Sequence, residues 1–429
     1  MRVAFFTPVS PQKTGIADYS EQEMLPYLSR FCDIDIFIDE NVTPSNKNLI
    51  KDFNIYPYSD FPALEKSYDI PVYQMGNNLL HKFIYDTLIQ YPGIVVLHDI
   101  FLHGFLWNMS LAQGDASKYI DTFEYCYGKK GSKIAQIAVS TGVFREFEYP
   151  LIKKIIDKSL GVVSHSEYGI KLIMEENRDS ITKKINQPYT MPDPKRGIDR
   201  LQIKSELDLA KFFPIISSFG FIFSHKRYNI ILKSFKRFLS LYPNAILILV
   251  GEDMMNLKQM ISGLGLTKSV FISGYMSHNK VQQYLDASDF CINLRYPTAG
   301  ETSRSVLQIM ASQKPVIVSD VGWFSELPDN ACLKVGVDNS EEETLLQYMI
   351  ALSSNEGLKN IIGKNARNFV IKDHDPEKIT HDFFSFLKNS VNCDECIINT
   401  ISRGLSELGI SEKESLLFEP AVGRLKEIF

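Results

Sequence analysis

Residues 291–328 read CINLRYPTAGETSRSVLQIMASQKPVIVSDVGWFSELP, and this stretch decides the fold of the second half of the chain. Its pattern predicts a strand, a turn of small residues, a helix and a second strand. Thr302 and Ser303 stand at the predicted helix start, where a hydroxyl can accept a hydrogen bond from a free backbone N–H. A helix N-terminus also carries partial positive charge. The turn therefore predicts a seat for an anion such as a diphosphate, the alternative being an ordinary capped helix packed on a core.

The composition restricts the class of protein. The chain has 429 residues, which predicts two domains. A net charge of −5 disfavours a dedicated nucleic-acid binder, and no apolar run approaches the roughly 18–20 residues of a membrane span. The first residues, MRVAFF, predict a strand and not a signal peptide. Six scattered cysteines suit a reducing compartment, so we expect a cytoplasmic protein; Cys393 and Cys396 are interpreted as ordinary thiols and not as a metal site.

Apolar strands alternate with helical patterns in both halves of the chain, which predicts two doubly wound α/β domains. We predict an N-terminal domain over 1–195, with a helical insertion at about 106–150, and a C-terminal domain over 196–375. Helices are predicted over 147–159 and within the C-terminal region 376–429. There they cover 377–388, 396–408 and 414–428, and the first of these three is expected to pack back on the N-terminal domain. Ligands of such sheets bind at the carboxyl ends of the strands, so the cleft between the domains is the expected active site.

In the C-terminal half, the stretch FGFIFSHKRYNIILKSF (219–235) predicts a strand, a basic loop and a helix. Lys226 in that loop is a candidate to neutralise a departing diphosphate. The alternative is a solvated basic loop, which is the commoner fate of a Lys-Arg pair.

In the N-terminal half, Gly15 lies in a long loop after the first strand, where a glycine allows close approach of the backbone to a ligand. His98 and Asp99 end the predicted strand 94–97 and are candidates for proton transfer or for orienting a hydroxyl. His165 ends another strand and is predicted to line the same cleft. Asp33 and Asp35 are interpreted as an edge or turn feature without a metal. The alternatives are locally satisfied histidines and an ordinary strand–helix connection.

At these residues the chain resembles the family 4 retaining glycosyltransferases (glycosyl transferases group 1). It is similar in particular to a bacterial subgroup with the motif GETS followed by SDVGWFSELP. The resemblance implies the GT-B fold, in which two Rossmann-like domains face each other across a cleft and C-terminal helices follow. It also implies transfer of a sugar from a UDP- or GDP-sugar to an acceptor hydroxyl, in cell-surface polysaccharide or glycoconjugate synthesis. The nucleotide-sugar is a substrate, and neither a cofactor nor a metal is expected.

The resemblance also implies roles for single residues. His98, Glu301 and Lys226 are the expected catalytic residues, and Asp99 and His165 are expected on the acceptor side. Donor binding is expected from a larger group of residues: Gly15, Tyr275, Met276, Thr302, Ser303, Ser305 and Gln308.

The sequence departs from the family pattern at two positions. Gln308 stands where members have a second glutamate, which grips the ribose, and Glu301 falls one position after the first. Phe221 stands where many members have an arginine partner to the lysine, and Arg304 or Arg295 is the expected substitute. These departures leave two other readings open: a catalytically degenerate GT-B binding protein, or a sugar phosphorylase that uses inorganic phosphate.

The acceptor is predicted only by class, as a saccharide, a lipid-linked molecule or a protein. Lysines and aromatic residues are interleaved over residues 123–158. Such a face could dock on an anionic membrane at its inner surface. The alternative is a set of solvated lysines over an aromatic core.

Overall fold

The structure is a computed structural model that describes residues 1–192 and 199–391. The helices predicted over 396–408 and 414–428, and the pair Cys393 and Cys396, lie outside the described residues. By contact density the chain divides into two units. Among the described residues, the first comprises Met1–Ser164, Ile170–Ile185 and 377–391, and the second comprises His165–Gly169, 186–192 and 199–376.

The strands of the described residues follow one another in this order: β1 Arg2–Phe6, β2 Asp33–Ile38, β3 Asn54–Pro57, β4 Ile70–Met75, β5 Ile94–Leu97, β6 Gly161–Ser164, β7 Thr182–Lys184, β8 Ile215–Phe219, β9 Ile246–Val250, β10 Val270–Ile272, β11 Phe290–Asn293, β12 Val316–Ser319 and β13 Leu333–Val335.

The α-helices between them are α1 Gly15–Asp18, α2 Leu25–Leu28, α3 Lys47–Asp52, α4 Phe61–Leu64, α5 Lys82–Gln90, α6 His103–Gln113, α7 Ser117–Thr141, α8 Lys153–Lys158, α9 Glu167–Glu176, α10 Arg200–Glu206, α11 Tyr228–Phe238, α12 Lys258–Gly263, α13 His278–Ala287, α14 Arg304–Ala311, α15 Glu341–Ser354, α16 Glu356–Asp373 and α17 Pro376–Val391. A π-helical segment, Tyr19–Met24, joins α1 to α2.

The first unit is built on a seven-stranded sheet with the order β3-β2-β1-β4-β5-β6-β7, and every pair of neighbours is parallel. Strands such as β5 (IVVL) are apolar at every position because both faces of a parallel sheet are covered by helices. Ile379, Phe383 and Leu387 of α17 are buried in the same core cluster as Val3 and Phe5 of β1.

The second unit has a six-stranded parallel sheet with the order β10-β9-β8-β11-β12-β13. In each sheet, the early strands are added on one side of the first strand and the later strands on its other side. This is the doubly wound arrangement. In α14, the apolar residues Val306, Leu307, Ile309 and Met310 are fully buried, as their spacing predicts for the inner face of a helix.

Two sequence predictions are wrong in detail. The helix predicted over 147–159 begins only at Lys153, because Pro150 disfavours helical backbone before it and Leu151 has a positive φ of 57°. Asp35 does not lie at an edge, since β2 runs between β3 and β1. Burial alone would raise the pKa of Asp35, but hydrogen bonds from Asn54, Tyr68 and Arg2 lower it overall.

The insertion is formed by α6 and α7, and its aromatic residues make a core and not a surface. Phe123 is fully buried, and the rings of Tyr127 and Tyr149 lie 5.9 and 5.3 Å from it, centre to centre. His103 lies among the same rings and is held by the hydroxyl of Tyr119 at 2.6 Å. Within residues 1–192 and 199–391, no helix is both long and apolar enough to cross a bilayer.

Candidate active site

The turn between β11 and α14 is organised around the carboxylate of Glu301. Oε1 lies 3.2 Å from Nη1 of Arg295, and Oε2 accepts a hydrogen bond of 2.8 Å from the hydroxyl of Thr298. That hydroxyl also accepts from the backbone N–H of Gly300 at 3.1 Å. The carboxylate is thus held in one orientation at the carboxyl end of the second sheet.

Lys226 is buried in the loop that follows β8. Its side chain is only 5% exposed, and Nζ donates a 2.9 Å hydrogen bond to the backbone carbonyl of Phe219. Burial and the neighbouring Arg295 hold the pKa of Lys226 well below its usual range, while Glu301 opposes the shift. An anion that binds beside this buried ammonium group stabilises its charged form.

Gly220 makes room for the lysine. Its φ is +94°, and a Cβ at this position would lie 2.8 Å from Nζ of Lys226. A residue with a side chain would therefore be strained in its backbone and would also displace the ammonium group.

Arg295 reaches the loop that holds Lys226. Its Nη1 lies 2.8 Å from Nε2 of His225, and its backbone N–H donates to the hydroxyl of Ser319. Burial, with Arg295 and Lys226 nearby, lowers the pKa of His225 to about 3. The imidazole is therefore neutral and accepts from the guanidinium. Nε of Arg295 is buried and has no hydrogen-bond partner among the described residues.

Sequence reasoning missed His225, although its place next to Lys226 at the end of a strand was a usable signal. Arg304, the other arginine considered, lies with its guanidinium carbon 5.6 Å from the ring centre of Tyr189. The structure thus brings together Lys226, Arg295 and Glu301.

The start of α14 supplies hydroxyl groups. Ser303 is the N-cap, and its side chain accepts from the backbone N–H of Val306. Its hydroxyl lies 3.0 Å from that of Ser305, which also accepts from Asn293. The hydroxyl of Thr302 is buried without a partner among the residues described, as expected of a group that awaits a ligand.

The remaining donor-side residues lie apart from this turn. Gln308 is buried, and its Nε2 donates to Oε1 of Gln282 at 3.3 Å, so its amide nitrogen is bonded to α13. Tyr275 follows β10 and is exposed, whereas Met276 packs against the core of the second unit.

In the first unit, His98 follows β5 with Nε2 2.9 Å from Oε1 of Gln74, and its ring meets the edge of Tyr19 at 4.6 Å between centres. The carboxylate of Asp99 accepts from the backbone N–H of Asn77 at 2.8 Å. Gly15 opens α1 after the N-cap Thr14, and a Cβ there would meet nothing within 4 Å. The space beside Gly15 is therefore open.

Gly76, which sequence reasoning missed, links these elements. A Cβ at this position would lie 2.4 Å from Cδ1 of Ile16, 3.1 Å from Nε2 of His81 and 3.3 Å from Oδ2 of Asp99. The glycine thus allows α1 to pack against the end of β4.

His165 follows β6 and is buried, and by contact density it groups with the second unit. Across the described ranges, no group of three or more His, Cys, Asp or Glu residues is arranged to hold a metal ion.

The chain is similar to known proteins in sequence and in fold. Residues 199–369 match the family described as glycosyl transferases group 1. An uncharacterized glycosyltransferase of Methanocaldococcus jannaschii is 28% identical over 149 residues, which is 34% of this chain. The match spans only 38% of that relative's length.

Two solved structures share the fold over most of the chain. HepE of Anabaena in complex with UDP has a TM-score of 0.63 at 15% identity and covers 91% of this chain and 100% of its own. Sucrose-phosphate synthase of Thermosynechococcus elongatus has a TM-score of 0.64 at 16% identity, with 91% and 98% covered. The predicted GT-B fold is confirmed. The chain thus has the GT-B fold, and its residues 199–369 are similar to the glycosyl transferases group 1 family.

Proposed function

We propose that the protein is a retaining glycosyltransferase of family 4 that transfers a sugar from a UDP- or GDP-sugar to an acceptor hydroxyl. The observation that carries the proposal is the cluster of Lys226, Arg295 and Glu301 beside the hydroxyls at the start of α14. The crystal structures of HepE with UDP and with UDP-glucose support a nucleotide-sugar as donor.

The chemistry follows from the charges of this cluster. When the bond between the anomeric carbon and the diphosphate oxygen breaks, negative charge develops on the leaving group. Lys226 and Arg295 are largely buried, and they stabilise that charge where electrostatic interactions are strong. The cationic side chains thereby take the role of a divalent metal, so the proposed reaction needs no metal and no other cofactor.

Glu301 is proposed to hold the hydroxyls of the transferred sugar. A carboxylate offers about four lone-pair sites, and Arg295 and Thr298 use only part of them. Tyr275 and Met276 are proposed to contact the base, and Gly15, Thr302, Ser303, Ser305 and Gln308 to complete the donor site. His98 and Asp99, with His165, are proposed to position the acceptor. The acceptor's proton passes to the leaving phosphate oxygen, so no separate strong base is required.

The proposal is tested by incubating the purified full chain with a panel of UDP-, GDP- and ADP-sugars and a broad acceptor panel. We expect mass spectrometry to show release of a nucleoside diphosphate with one donor, and NMR to show a product with the donor's anomeric configuration. Donor binding without hydrolysis or transfer would instead support a degenerate binding protein. Phosphate-dependent release of a sugar phosphate would support a phosphorylase.

We also propose that the protein acts in the cytoplasm in cell-surface polysaccharide or glycoconjugate synthesis and contacts the inner face of the membrane. Lys129, Lys130 and Lys133 of α7 are exposed, and so are the apolar Ile137 and, after the helix, Val143. Basic and apolar groups on one surface favour an anionic bilayer. The aromatic residues take little part, since most of them line the core of the insertion.

Flotation with liposomes measures this contact. At low salt we expect the protein to float with anionic vesicles but not with neutral ones, and replacement of Lys129, Lys130 and Lys133 by Glu to abolish flotation. A control replaces three exposed lysines of the second unit, Lys258, Lys364 and Lys372, by Glu and should still float. If the wild-type protein does not float at low salt, the membrane contact is wrong.

A further inference from the structure

We infer that Gln74 is a positioning residue that holds the imidazole of His98 in one orientation and one tautomer. The consequence for catalysis rests on the proposed function, but the geometry does not. Gln74 is the penultimate residue of β4 and is fully buried, and its Oε1 lies 2.9 Å from Nε2 of His98.

The backbone brings the two residues together. β4 and β5 are parallel neighbours with Met75 opposite Leu97, and the backbone N–H of His98 donates to the carbonyl of Met75 at 2.9 Å. His98 is therefore tied to the end of β4 by its backbone and by its side chain. The edge contact with Tyr19 holds the ring from another direction.

The amide oxygen of Gln74 can only accept, so Nε2 of His98 carries the proton and Nδ1 carries the lone pair. The backbone of Gln74 is itself held, because its carbonyl lies 2.9 Å from Nδ1 of His81. A histidine held in a single tautomer need not rearrange its proton when a substrate binds.

The amide nitrogen of Gln74 indicates that this residue is not present to stabilise the fold. Nε2 of Gln74 is buried and has no hydrogen-bond partner among the described residues. An unpaired buried N–H group destabilises the fold, and an apolar side chain of similar volume would avoid this. A polar residue at this point of a buried strand is explained by its bond to His98.

The test uses the full chain labelled with 15N at histidine, with the His98 resonance assigned from its absence in His98→Gln. In the wild type we expect Nε2 protonated and Nδ1 unprotonated. In Gln74→Met, which keeps the volume and removes the acceptor, we expect a mixture of the two tautomers. In Gln74→Glu a carboxylate still accepts from Nε2–H, so the single tautomer should return. Thr87→Val removes another buried polar group of the same unit and should leave the His98 signals unchanged.

The catalytic consequence is measured separately. Gln74→Met should lower kcat about tenfold and leave KM for the donor unchanged, and Gln74→Glu should restore part of kcat. If Gln74→Met fails to fold, Gln74→Asn is used instead. Its shorter side chain moves the amide oxygen away from His98, and the same mixture of tautomers is expected. An unchanged His98 spectrum in the folded variant overturns the inference. Because the spectrum needs no turnover, this result stays distinct from a failure of the proposed transferase activity.

Discussion

Replacing Lys226 with alanine is expected to lower kcat for sugar transfer by about 10²–10³-fold, as loss of one preorganised charge donor does in other enzymes. Lys226 is buried, and the pKa of its ammonium group is lowered by that burial and by Arg295. Negative charge develops on the departing diphosphate beside this ammonium group, so the interaction is strongest in the transition state. The measurement is the initial rate with the donor found in the screen, together with the dissociation constant of the nucleoside diphosphate.

We do not expect this substitution to destabilise the folded state. Removing a buried cation removes its desolvation cost, so the thermal unfolding temperature of Lys226→Ala should not fall. The matched control is Lys233→Ala on α11, an exposed lysine that should transfer sugar like the wild type. If Lys226→Ala is folded and transfers at the wild-type rate, the proposed diphosphate site is wrong.

Replacing Glu301 with glutamine is expected to lower kcat by about 10–100-fold, the cost of about 1.5–3 kcal/mol for hydrogen bonds to a charged group. The variant keeps the shape of the side chain but removes the charge that Arg295 and Thr298 contact. Sugar hydroxyls then lose a charged acceptor, and Lys226 loses the group that opposes its lowered pKa.

The pH dependence gives this variant a second readout. Lys226 acts in its protonated form, which is present below its pKa and is lost as the pH rises through it. Without Glu301 that pKa falls further, so the alkaline limb of the rate profile should move to lower pH. Glu343→Gln, at an exposed pair with Arg237, is the control and should leave the profile in place. A Glu301→Gln profile identical to the wild type would show that Glu301 does not interact with Lys226.

Both predictions depend on contacts between residues far apart in sequence. The guanidinium of Arg295 reaches His225, which lies 70 positions earlier, because β8 and β11 are neighbours in the second sheet. The sequence indicated Lys226 and the GETS turn separately. It left open whether Arg295 or Arg304 substitutes for the arginine partner of Lys226, since an arginine side chain can reach several places from either position.

The sequence also could not predict the hydrogen-bond partners of Gln308 and Gln74, because each contact joins segments that lie apart in sequence. The family motif singles out Gln308, but its hydrogen bond to Gln282 depends on how α14 packs against α13. Gln74 lies within an apolar strand pattern and 24 positions before His98, so nothing local marks it as a partner.

The sequence by itself determined the two doubly wound sheets, the order of strands and helices through 291–328, and a helix N-cap at Thr302 or Ser303. These depend on the alternation of apolar residues and on hydrogen bonds between near neighbours, both of which are local properties of the chain. Only the tertiary structure decided that Lys226 is buried, that Arg295 contacts Glu301 and His225, and that Gln74 lies against His98. Those outcomes depend on which strands become neighbours in each sheet, because sheet order brings side chains from distant segments to the same edge.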